Sequence, residues 1–149
     1  MIRLGRRGRK GAPDTFDVDG YVALLGRLRE QTADMVYAPY FNRGLEESIG
    51  SAVPIERETP LVVTEGNYML LDTGGWEHVA PLLDETWFLD VPSKLRSQRL
   101  VRRREQFGDT EAAATAWVET VDQRNAALVA KTASRADLRL QLTTVLPVR

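Results

Sequence analysis

The 149-residue chain contains no cysteine. This excludes disulfides and thiolate zinc sites, and it fits a reducing, cytoplasmic setting. The one histidine, His78, rules out any multi-histidine metal site. No apolar run approaches the ~20 residues of a membrane span. The amino terminus is basic, but no apolar signal core follows it. Net charge is −1, so the molecule as a whole has no electrostatic bias toward nucleic acid or an anionic membrane. Internal repeats and low-complexity tracts are also missing. With hydrophobic residues at 43% and charged residues at 28%, the composition is that of a globular protein, and the length suits one domain.

Three chemical signatures are missing as well. A Gly-x-x-x-x-Gly-Lys-[Ser/Thr] phosphate loop requires a Gly-Lys pair, and the sequence has none. There is no Gly-x-Ser-x-Gly elbow and no Gly-x-Gly-x-x-Gly fingerprint.

The segments that are present alternate between strand and helix patterns. Residues 1–16 carry Arg3, Arg6, Arg7, Arg9 and Lys10 against one acid, Asp14, and their glycines and Pro13 argue against regular structure. Val18, Tyr21, Val22, Leu25 and Leu28 fall at helical spacing, with Thr15 or Asp17 as the cap. Met35 to Tyr37 reads as a short strand, and 38–53 as a loop with a short helix around Leu45 to Ile49. Leu61 to Thr64, a β-branched run closed by Gly66, reads as a buried strand. Trp76 to Leu83 reads as a helix opened by Gly74 and Gly75, and Thr86 to Leu89 as a second buried strand. Two long helices follow, about Ser93 to Phe107 and Thr110 to Lys131, separated by Gly108. Leu138 to Leu142 and Thr144 to Leu146 are candidate strands. Such alternation predicts a parallel sheet covered on both faces.

Several side chains could carry chemistry. Glu65 follows a strand-like run, where a carboxylate can hold Mg²⁺ beside phosphates; it could equally cap the following turn. Arg96, Arg99 and Arg103 share a helical face flanked by Arg102 and Arg104. Arginine forks bind phosphate oxygens, although an arginine-rich helix is also a common solvated surface. The basic loop with Arg9 and Lys10 could close over an anion or be a charged tail. Asp14 could accept hydrogen bonds from substrate hydroxyls or serve as a turn residue. Trp76, Trp87 and Trp117 read as core, and His78 has no assigned role.

Four blocks, in order and spacing, extend across nearly the whole chain: Arg9-Lys10-Gly11-Ala12-Pro13-Asp14-Thr15-Phe16-Asp17, Tyr37-Ala38-Pro39-Tyr40-Phe41-Asn42-Arg43, Val63-Thr64-Glu65-Gly66-Asn67-Tyr68, and Arg99-Leu100-Val101-Arg102-Arg103 before Phe107-Gly108. Together they resemble the nucleoside/nucleotide kinase family, in the uridine kinase and phosphoribulokinase group of P-loop kinases. The resemblance implies a three-layer α/β sandwich with a parallel sheet, missing its N-terminal strands, as one partial kinase-like domain over 1–149. Residues 1–16 would form the substrate-side loop and 93–131 the lid helices. It implies ATP and Mg²⁺ as cofactors and phosphoryl transfer to a hydroxyl of a small metabolite; the alternative is a non-catalytic fragment that binds an anionic ligand weakly. By the same resemblance, Arg9, Lys10, Asp14 and Arg43 would meet substrate, Glu65 would lie near magnesium, and Arg99 and Arg103 would meet the ATP phosphates, facing the same cleft as Glu65. Three positions depart from the family pattern: Asn42 where Asp is frequent, Arg104 where His is common, and Asp109 where Lys is common. Neither nucleic acid nor membrane is expected as a partner. A chain without the interior first strand is expected to be marginally stable and to dimerise or aggregate along Leu61 to Thr64.

Overall fold

The structure, a computed structural model, describes residues 5, 9, 11–45 and 47–142. Its contacts group the chain into two compact units, one of residues 17–82 and one of residues 1–16 with 83–149.

In the 17–82 unit the first helix, α1, spans Val18–Glu30. Asp17 caps it, as its position predicts, by accepting a 3.0 Å hydrogen bond from the Gly20 amide. Gln31, in the left-handed conformation, ends it. The strands β1 (Met35–Asn42) and β2 (Glu47–Glu56) then form an antiparallel hairpin. Residues 38–42 and 47–53 are therefore strand, with a turn at 43–45, and not a loop with a short helix. Two local signals favour the hairpin. The Asn42 side chain accepts from the Gly44 and Leu45 amides at 2.9 and 3.1 Å, closing the turn. Ile49, Val53 and Ile55 also place β-branched residues along β2. The register breaks between Ala38 and Tyr40, at Pro39, which has no amide to give to the ladder.

Leu61 to Thr64 does not form a strand. Among the described residues no strand pairs with it, and Leu61 and Val63 are 74% and 82% exposed. The run has the composition of a strand without the ladder that would make it one. The Trp76 to Leu83 helix is also corrected: two single 3₁₀ turns, Trp76–His78 and Ala80–Leu82, take its place. Gly75 at φ 90° sets up the first, and a Cβ there would press to 3.2 Å from Val18 Cγ1. Val18, Leu25, Val36, Tyr68, Leu71, Trp76 and Val79 form the buried set of this unit.

In the second unit, Pro13–Thr15 makes one 3₁₀ turn within the basic loop. The strands β3 (Trp87–Asp90) and β4 (Leu138–Gln141) pair in parallel, with Trp87 opposite Leu138. Thr86 secures the pair from below: its amide and hydroxyl donate to Asp137 Oδ2 at 2.8 and 2.7 Å. β3 is not buried: among the described residues it pairs with one strand, and Trp87 and Leu89 are 62% and 58% exposed. The helices follow the expected course. α2 covers Ser93–Gln106, Gly108 turns the chain at φ 98°, and Thr110 caps α3 (Glu111–Trp117). A π-helical stretch, Val118–Asp122, leads into α4 (Gln123–Ala130). The candidate strand Thr144 to Leu146 lies outside the described residues. No helix among the described residues is long and apolar enough to cross a membrane.

Candidate functional site

Each unit contributes a separate group of candidate residues. In the 17–82 unit, Glu65 stands on the 61–66 segment with its carboxylate exposed. The hydroxyl of the preceding residue, Thr64, lies 2.6 Å from the Tyr21 phenol on α1. Burial raises the Tyr21 pKa above 10.0, the hydrogen bond to Thr64 draws it back, and the Glu65 charge raises it further. Tyr21 in turn meets the Trp76 ring at 6.3 Å between centroids, and Tyr68 meets the same ring at 5.6 Å. Tyr21 was placed on the helix face by its spacing, but nothing in the sequence tied its hydroxyl to Thr64, 43 residues away. Arg43, at the hairpin turn, lies over the Phe41 ring at 5.9 Å.

In the second unit, Arg9 and Asp14 form an ion pair across the basic loop, so two of the substrate-side residues are brought together. Thr15 ties the same loop by accepting from the Gly11 amide and donating to the Ala12 carbonyl. Residues 11–15 are thus tied by hydrogen bonds where composition argued against regular structure. Lys10 lies outside the described residues.

The arginines of α2 fall into two classes. Arg99 and Arg103, four residues apart on one face, are exposed, and neither takes a hydrogen bond or ion pair among the described residues. Arg96 and Arg104 are structural. Arg96 donates to the Val91 carbonyl, the Ser93 hydroxyl and Gln123 Oε1, while Gln123 donates to Ser97, which ties α2 to α4. Arg104 pairs with Asp109 at 2.5 Å and stacks on the Trp117 ring at 4.5 Å. Two of the three departures from the family pattern are therefore partners of each other. Asp122, on the π-helical stretch, is pushed up by burial and drawn down by Arg104 and then Arg103. Among the described residues no cluster of three or more histidine or acidic side chains could hold a metal ion.

No family model matches the sequence. Individual proteins do. The chain is 35% identical over 111 residues to the ATP-dependent kinase-like protein notR' of Aspergillus versicolor, which spans 70% of this chain and 64% of that one. It is 28% identical over 137 residues to a "putative uridine kinase" of Schizosaccharomyces pombe, with 91% and 58% covered. Its structure superposes on the "putative fructose transport system kinase" of Silicibacter sp. TM1040 with a TM-score of 0.84 and 32% identity, over 93% of this chain and 66% of that one. The chain thus spans between half and two thirds of the length of these relatives. Fold and sequence together make the chain a relative of the P-loop kinases, with their α/β architecture.

Proposed function

We propose that the chain supplies acceptor-side and lid residues to an ATP-dependent kinase that phosphorylates a hydroxyl of a small cytoplasmic metabolite, a nucleoside or a sugar. The observation that carries this reading is the likeness to the solved structure of a "putative fructose transport system kinase" at 32% identity over 93% of the chain. In this reading Arg99 and Arg103, uncommitted on α2, meet the ATP phosphates, where converging guanidinium groups stabilise charge during phosphoryl transfer. Arg9, Lys10, Asp14 and Arg43 serve the acceptor. Mg²⁺ in such enzymes needs only one or two protein carboxylates, with waters and substrate phosphates completing its shell. A lone exposed carboxylate such as Glu65 suits that demand, and Mg²⁺ when bound would neutralise phosphate charge. The test is MgATP binding by calorimetry, with R99A/R103A and E65Q each expected to weaken it at least tenfold. Wild-type affinity in both variants would overturn the assignment.

A second reading has its own support. Without a Gly-Lys pair these residues hold no phosphate loop of their own. Expressed alone, they would bind an anionic metabolite weakly and turn nothing over. ADP release against a panel of nucleosides and sugars separates the two. Turnover on the order of 1 per second, normal for kinases, would exclude the second reading; its absence is the expected result.

A further inference from the structure

We propose that Tyr21 is a positioning residue for Glu65: its hydroxyl holds Thr64, and through Thr64 it fixes where the neighbouring carboxylate stands. This rests on the reading of Glu65 as the acid beside the metal. The argument begins with what is missing around that acid. Residues 61–66 belong to no strand or helix, and no strand pairs with them among the described residues. A backbone ladder therefore does not set the position of Glu65. Side chains must do so, and two attachments are visible. One is Tyr68, buried against Trp76 three residues later. The other is the 2.6 Å contact between the Thr64 and Tyr21 hydroxyls, immediately before Glu65.

Tyr21 is well placed for this task. It sits in the first turn and a half of α1, whose start is fixed by the Asp17 cap. Its ring is half-buried and tilted 51° against Trp76, so the phenol has little freedom to swing. Apolar packing alone would be met equally well by phenylalanine, and the hydroxyl adds only the bond to Thr64.

The test uses the intact chain without nucleotide, in the variants Y21F, T64V and T64S. Amide exchange is followed by mass spectrometry over 61–68. Y21F and T64V should each accelerate exchange over 61–68 about fivefold, the size expected from losing one hydrogen bond. Exchange at Trp87–Asp90 should not change. T64S, which keeps the hydroxyl, should behave as wild type. Wild-type exchange in both Y21F and T64V would overturn the proposal, as would a T64S variant as fast as T64V. None of these readouts involves the metal or ATP. A failure of Glu65 as the magnesium acid appears separately, as wild-type MgATP affinity in E65Q.

Discussion

Arg104 is held by two different forces, the Asp109 carboxylate at 2.5 Å and the face of Trp117 at 4.5 Å. Both partners belong to the turn and helix that follow, so the side chain fastens α2 to α3. Replacing Arg104 with alanine should destabilise the fold by about 1–2 kcal/mol, from a cation–π contact and a partly exposed ion pair together. Urea denaturation followed by circular dichroism measures this, and R104K should recover little, because an ammonium cannot stack as a guanidinium does. Asp122 nearby gives a pH signature. Its folded pKa is raised above the ordinary 3.8, chiefly by burial. The protonated form is thus favoured by folding, and the associated stability is present below 3.8 and lost as pH rises through the raised value. D122N should remove that decline. Urea midpoints compared near pH 3.8 and at neutral pH should therefore lie closer together in the variant than in the wild type.

Among the elements, the β3–β4 pair depends on a contact outside both strands. Asp137 accepts two hydrogen bonds from Thr86, which lower its pKa below 3.8. Its contribution is present above 3.8 and lost as pH falls through the lower folded value, the opposite sign to Asp122. D137A should accelerate amide exchange at Trp87–Asp90 and Leu138–Gln141 while leaving the β1–β2 hairpin unchanged. The helices of this unit were legible because Gly108 marks the break between them. So was the Asp17 cap of α1. The hairpin was not legible because its decisive signal, the Asn42 side chain turning back onto two amides, is a contact of the folded turn, while the composition of 38–53 is mixed. Leu61 to Thr64, and the expected burial of β3, differ for another reason. A strand's burial depends on what lies beside it, and composition reports only that Val62 and Val63 would suit a sheet. At the site, the sequence placed Glu65, Arg99 and Arg103 as candidates. Residue type and spacing alone do not separate Arg99 and Arg103 from Arg96 and Arg104, because all four share one helix; the resemblance singles out the first pair, and only partners on other elements set the second apart.

At the scale of the whole molecule, exposed apolar residues govern behaviour in solution. Leu61 and Val63 on one unit and Trp87, Leu89 and Phe107 on the other all stand more than half exposed. Runs of this kind favour association with other chains. Light scattering coupled to size exclusion should show concentration-dependent oligomers, and L61K/V63K should shift the population toward monomer. A monodisperse wild-type monomer that melts cooperatively above ~65 °C, the upper end for mesophile domains, would contradict this expectation. The Arg104–Asp109 pair carries a last consequence, for how the two positions tolerate change. Because each side chain is the other's partner, their substitutions are not independent. R104A and D109A should together cost less than the sum of the two alone, and a double-mutant cycle in urea measures the difference.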